Sequence, residues 1–259
     1  AIALEVFHQF PLLHDDIMDR SDTRRGHPTV HCKWDENTAI LSGDVMSIMA
    51  YKYLSQGPAD KLPALLRLFN DMAADICEGQ QKDMDFEKLP FITMADYIDM
   101  ISLKTGALIA SSACMGALLA GQDEATCKAL YDFGMNVGIA FQITDDSLDT
   151  FGDARIFGKP IGGDIVNGKK TWLLVETLHR SVSEAQKANL EAIMSMTGNE
   201  EKIEAMTALY TDLGVKDDAE KAITRYYDSA MEALDRAHLT DEGRERLADF
   251  AGALAHREK

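Results

Sequence analysis

One acidic motif occurs twice in this chain, and it restricts what the rest can fold into. His14-Asp15-Asp16-Ile17-Met18-Asp19 is followed closely by Arg24-Arg25, and the same arrangement of acids returns as Asp145-Asp146-Ser147-Leu148-Asp149. Residues four apart on a helix share a face, so Asp15 and Asp19 are expected to point together, and so are Asp145 and Asp149. Like charges at that spacing weaken an isolated helix. A chain that does this twice in apolar surroundings implies cations that neutralise the acids. A few hard oxygen donors suit Mg²⁺, which keeps waters and shares its coordination with substrate phosphates. The plain alternative, a solvated acidic face, fits either motif alone better than it fits the pair.

The surrounding composition favours helix nearly everywhere. Pro is scarce at 6 residues, Gly numbers 18, and runs rich in Ala, Leu, Met, Glu and Lys dominate. With 46% hydrophobic residues in 259, the chain has enough apolar material for a substantial core. The expectation is an all-α, single-domain bundle over 1–259 around a deep central cavity, since facing helices can aim side chains inward. No low-complexity tract, long linker or repeat other than the acid motif argues for a division. A net charge of −17 and a pI near 4.7 argue against general affinity for nucleic acid or an anionic membrane, so any phosphate ligand must be held locally. Cys32, Cys77, Cys114 and Cys127 have no close paired spacing. They read as ordinary buried thiols of a reducing compartment, consistent with a cytoplasmic protein. No signal peptide is visible. The most apolar run, Gly106 to Gly121, is short for a membrane span and reads as a buried helix, so no integral membrane segment is expected.

In chain order, Ile2, Val6, Phe10 and Leu13 form a helical stripe with no N-cap before it. His8 lies two turns before Asp15, on nearly the same face. The polar stretch from Ser21 to Glu36, with Gly26 and Pro28, predicts a loop that holds Arg24 and Arg25 beside the first acids, where their fork-like guanidinium groups suit phosphate oxygens. Helices are expected over about 37–56, 59–89, from Thr93 to Ala120, and from Glu124 into the second motif. The third carries Lys104-Thr105-Gly106 on an otherwise bland face. Gly152 to Lys170 reads as a loop. Beyond Thr171, shorter amphipathic helices are separated near Ser183, Gly198, Gly214 and Leu239.

Two other patterns compete. Gly163 to Lys169 matches the opening of a phosphate-binding P-loop, but Lys170 stands where Ser or Thr is needed and no strand precedes it. Glu5-x-x-His8 and Glu176-x-x-His179 are the pairs that build di-iron sites in four-helix bundles. That assignment would leave both acid motifs, and the cations near them, without a purpose.

Taken in order, Asp15-Asp16-Ile17-Met18-Asp19 with Arg24-Arg25, Glu78-Gly79-Gln80, Lys104-Thr105-Gly106, Phe141-Gln142 with Asp145-Asp146-Ser147-Leu148-Asp149, and Gly158-Lys159 through Lys169 resemble the trans-isoprenyl diphosphate synthases over nearly the whole chain. The family includes farnesyl and geranylgeranyl diphosphate synthases. The resemblance implies an all-α homodimer that joins an allylic diphosphate to isopentenyl diphosphate with loss of diphosphate. It implies Asp15, Asp19 and Asp145, with Asp16 and Asp149 beside them, as ligands of Mg²⁺, three ions with substrate bound. Arg24, Lys104, Thr105, Gln142, Lys159 and Lys169 would surround the allylic diphosphate, with Lys104, Lys159, Lys169 and Gln142 assisting its departure. His8 and Arg25 would meet isopentenyl diphosphate.

These residue types suit the reaction. Ionising an allylic diphosphate leaves a carbocation and a highly charged leaving group, which metal ions and fixed cations stabilise. The family normally begins with further helices and a Gly-Lys-x-x-Arg segment; the uncapped opening helix leads us to expect that they precede Ala1 in the intact protein. Phe10, five residues before Asp15, is expected to limit the growing hydrocarbon tail. By periodicity alone Phe10 is equally a core residue of the Ile2, Val6 and Leu13 stripe. In the resembling family, however, a bulky aromatic at this offset goes with short products. With Pro11 in place of the second aromatic of many farnesyl synthases and no insertion in the first motif, the resemblance implies a twenty-carbon product, with a fifteen-carbon one next. A terpene cyclase, which shares the ionisation step, is the alternative; cyclases usually carry a mixed Asn/Ser/Glu motif in place of the second aspartate set.

Overall fold

Strong helix formers run between well-placed caps, and the computed structural model, which describes residues 1–153, 161–181 and 183–255, is helical almost throughout. The helix α1 (Ile2–Met18) carries the first motif at its C-terminal end. Arg20 adopts φ +52° just beyond it, ending the helix. The expected loop after it contains a small antiparallel hairpin, with Thr23 opposite Pro28 and Arg24 opposite His27, and then a four-residue turn of helix, α2 (Val30–Lys33). Arg25 and Gly26 at the hairpin tip both have positive φ, as a tight primed turn requires.

Next come α3 (Glu36–Leu54), capped by Asp35 accepting the Thr38 amide at 2.8 Å, and α4 (Leu62–Glu87). The apolar helix expected over 93–120 is divided. After α5 (Met94–Ile101), which begins in a Thr93–Asp96 capping box, a wide π-turn (Ser102–Gly106) precedes α6 (Ala107–Ala120). Such a turn adds a residue to the helix and redirects its side chains. Met94–Ala120 is long and apolar enough to cross a membrane by length and composition; in this fold it packs against α4 and α7.

The helix α7 (Glu124–Phe151) lies between α6 and the later helix α12 (Val215–Asp235). It is buried along most of its length, with Phe133, Val137, Ala140 and Ile143 among its core residues, because α6 and α12 both pack against it. Gly138 is required for its contact with the π-turn: a Cβ there would sit 2.6 Å from the Gly106 Cα. The remaining elements are α8 (Gly163–Asn167), α9 (Trp172–Arg180), α10 (Glu184–Met194), α11 (Asn199–Asp212) and α13 (Asp241–Ala255). The short α8 was not expected from the glycine-rich sequence.

A cluster formed by α1, α3, α4 and α6 fills the region before the first motif. Phe7 and Tyr51 each meet Phe69 edge-on, with centroids 5.0 Å apart. Each buried ring contributes roughly 2–3 kcal/mol, which fixes α1 against its neighbours. His14 is part of that packing: its ring meets Phe10 at 4.9 Å, and its Nε2 lies 3.1 Å from the Ile40 carbonyl. The cysteines depart from expectation. All four are free, but Cys32 and Cys77 are exposed and Cys114 and Cys127 only part-buried.

Candidate active site

The end of α1 faces α4 and the π-turn across a cleft of mixed charge. Asp83 lies on the buried stripe of α4 that includes Leu65, Phe69, Met72, Ile76 and Gly79. Its carboxylate accepts from Lys104 Nζ at 2.7 Å and from Lys169 Nζ at 3.4 Å. Lys104 also reaches Asp15 at 3.4 Å, and Lys169 reaches Asp19 at 2.8 Å and Glu87 at 2.6 Å. Two ammonium groups are thereby interleaved with Asp15, Asp19 and Asp83. A Cβ at Gly79 would come within 2.7 Å of the Lys104 Cα, so the glycine permits the close approach that delivers Lys104.

Burial and neighbouring charge compete at each group. Burial alone would raise Asp83, but Lys104 and Lys169 hold it below the usual carboxylate range. Burial pulls the two lysines down; Asp15 and Asp83 raise Lys104, and Asp83, Asp19 and Glu87 raise Lys169 further. Both stay cationic. Asp19 is raised, first by burial and then by the Asp15 carboxylate, with Lys169 opposing.

The second aspartate of this motif departs from its neighbours. Asp16 is 5% exposed, and its Oδ1 accepts from Arg24 Nε at 2.8 Å and lies 2.8 Å from Nη2. The Arg24 fork also reaches Asp15 at 3.5 Å. Asp16, expected among the metal donors, holds Arg24 in this structure. His8 is half-buried. Burial lowers its pKa first; Glu5 opposes this, and the charges of Arg25 and Arg24 lower it further, which places the imidazole in the field of both arginines.

Across the cleft, the second motif is held by neutral donors. Asp146 is 4% exposed, and its Oδ2 accepts from the Tyr97 hydroxyl at 2.6 Å and from the Trp172 amide at 2.8 Å. Its Oδ1 accepts from Gln142 Nε2 at 3.0 Å, and the Gln142 Oε1 accepts from Thr105 Oγ1 at 3.0 Å. Burial pushes the Asp146 carboxyl up to about 6, against the pull of those donors. Asp145, beside it, is part-exposed. Asp149, also expected as a metal donor, is 7% exposed and accepts the Asp164 amide at 3.0 Å. Asp145 and Asp149 share a face of the continuous helix α7, as expected, but differ in exposure because the start of α8 covers Asp149. Lys159 lies outside the described residues.

A cavity of about 120 Å³ separates the two halves, lined by Asp19, Asp83, Lys104, Gln142, Lys169 and Lys170 among others. Lys170, absent from the expected site, is 5% exposed; burial lowers its pKa and Glu87 opposes this. Asp83, Tyr97 and Asp146 were also missed as site residues. An acid on the apolar stripe of α4 was the one sequence signal for Asp83. The competing di-iron pairs are not assembled: Glu176 accepts from Arg180 Nε at 2.9 Å, and His179 packs on Phe91 at 5.3 Å. Among the described residues, no group of three His, Cys, Asp or Glu side chains converges to hold a metal ion. Mg²⁺ commonly takes only one or two carboxylates and fills its octahedron with water and phosphate oxygens, so the hard donors Asp15, Asp19 and Asp145 fit shared coordination.

The polyprenyl synthetase family model matches residues 1–213. The short chain isoprenyl diphosphate synthase of Methanothermobacter thermautotrophicus is 38% identical over all of this chain and 79% of that protein. The geranylfarnesyl diphosphate synthase of Natronomonas pharaonis is 37% identical over 99% of this chain and 74% of its own length. The crystal structure of geranylgeranyl pyrophosphate synthetase from Pyrococcus horikoshii Ot3 superposes with a TM-score of 0.90 at 38% identity, covering 99% of this chain and 78% of that one.

Proposed function

The chain belongs to the polyprenyl synthetase family, and on that premise we propose that it joins an allylic diphosphate to isopentenyl diphosphate to make geranylgeranyl diphosphate, with farnesyl diphosphate as the next candidate. It is a short-chain trans-prenyltransferase with the all-α fold of its relatives. The observation that carries the substrate assignment is the convergence of Lys104 and Lys169 on Asp83, between Asp15 and Asp19.

In the reaction, the carbon–oxygen bond of the allylic diphosphate breaks and the diphosphate leaves with the electron pair. The double bond of isopentenyl diphosphate attacks the resulting cation, and a proton is lost to the released diphosphate. Lys104 and Lys169 supply fixed positive charge where negative charge accumulates on the leaving group. Arg24, oriented by Asp16, adds a planar fork at the same end, and Gln142 offers an amide hydrogen from the far wall. His8 and Arg25 receive the second diphosphate. Mg²⁺, held by Asp15, Asp19 and Asp145, supplies further charge neutralisation when bound. Apolar side chains before the motif, including Phe10 where it packs between Phe7 and His14, keep water from the cation and set the depth available to the tail.

The protein works in the cytoplasm as a homodimer on this reading. Leu41, Val45 and Ile48 form an exposed stripe on α3, at 63%, 54% and 61% exposure, whose apolar area suits a second copy. Incubation of the intact protein with Mg²⁺, isopentenyl diphosphate and each allylic starter, followed by chromatography of the dephosphorylated alcohols, tests the assignment. A twenty-carbon alcohol is expected. Cyclic hydrocarbons without chain elongation would move the assignment to a terpene cyclase, and two bound irons with oxygen consumption would move it to a di-iron protein.

A further inference from the structure

The hydrogen-bonded chain behind the second motif has a polarity that bears on substrate binding. Asp146 cannot donate when ionised, so the Gln142 atom facing it must be the amide nitrogen, and the carbonyl oxygen is turned to the Thr105 hydroxyl. That arrangement spends one Nε2 hydrogen on Asp146 and leaves the other for the cavity that Gln142 lines. The opposite amide orientation would present a carbonyl oxygen to an anion. The orientation of Gln142 depends on Asp146 remaining in place, and Asp146 is fixed by two donors, the Trp172 amide at 2.8 Å and the Tyr97 hydroxyl at 2.6 Å.

We propose that Tyr97 is a positioning residue for diphosphate binding: its buried hydroxyl, through Asp146, sets the orientation in which Gln142 donates to the allylic diphosphate. Tyr97 is 1% exposed and sits on α5, while its partner sits on α7, so the bond also ties the helix that leads into the π-turn carrying Thr105 to the helix packed against that turn. Burial and the nearby Asp146 charge hold its phenol well above the usual range, so it remains a donor. The inference rests on the prenyl transfer reading for its ligand. The ring alone satisfies the packing requirement; the hydroxyl is the part with a directional task.

A double-mutant cycle separates the two roles, with Tyr97→Phe, Gln142→Met and the pair together in the intact protein. Each is measured for Kd of inorganic diphosphate with Mg²⁺, for KM of each substrate and for melting temperature. Tyr97→Phe is expected to raise the diphosphate Kd and the allylic KM about tenfold, the scale of one hydrogen bond to a charged group, with the KM of isopentenyl diphosphate unchanged. In the Gln142→Met background the same change should move Kd by less than about twofold, because the two act as a unit. Additive effects, or equal increases in both KM values, would overturn the positioning role and leave Tyr97 a core residue. A wild type that binds diphosphate but forms no prenyl product would overturn the assigned reaction while the binding cycle still decides the relay; one that does not bind diphosphate overturns both. Should Tyr97→Phe fail to fold, Thr105→Val cuts the chain at its other end and is read in the same cycle.

Discussion

The two aspartate motifs have the same spacing and different surroundings. In each, the second aspartate turns inward and holds a polar side chain that borders the cleft: Asp16 holds Arg24, and Asp146 holds Gln142. In the first motif the neighbours are charged, with Lys104 and Lys169 bridging Asp15, Asp19 and Asp83. In the second they are neutral donors, and Asp149 is engaged by the Asp164 amide. Repetition of a motif therefore does not mean repetition of a task. One half interleaves cations with carboxylates, so that its lysines can turn toward a substrate, and the other is a rigid wall with a defined hydrogen-bond direction.

The largest effect should come from the outward aspartates. Asp15→Asn and Asp145→Asn are each expected to lower turnover roughly a hundredfold or more, since each removes a charged donor near the leaving group. Near-normal turnover in one variant would show that only one motif serves the metal. Asp83→Asn tests the charged half alone. Both lysines would lose a shared partner while retaining Asp15, Asp19 and Glu87, for a cost of about 2 kcal/mol in stability, readable as a lower melting temperature. An unchanged melting temperature would mean that the lysines settle equally well elsewhere.

Salt should distinguish the inward aspartates. The Arg24 side chain is 34% exposed, so the cost of Asp16→Asn in diphosphate affinity should shrink between roughly 0.05 and 0.5 M salt, whereas that of Asp146→Asn should not. Parallel salt responses would remove the distinction between the two halves. The smallest effect on rate is expected at Phe10, which lies outside both. Phe10→Ala should keep turnover within a few-fold and lengthen the product by one or more five-carbon units, because truncation leaves space beside Phe7 and His14. An unchanged product from a well-folded variant would place the floor of the cavity elsewhere.

Helical class, the two acid motifs and the arginines after the first were legible in the sequence because local spacing and propensity carry them. The cap Thr93 was equally local. Asp83 left a weaker trace, an acid on an apolar stripe. The division of the helix at Ser102–Gly106 left none: a π-turn sends adjacent residues to different partners, Lys104 to Asp83 and Thr105 to Gln142, and periodicity assumes a regular helix. Sequence by itself determined which aspartates share a helix face, since that follows from 3.6 residues per turn. Which face is covered was decided only in the tertiary structure, where Lys169 meets Asp19 from 150 positions away and Tyr97 meets Asp146 from 49, because such contacts depend on how the helices pack and not on any one helix.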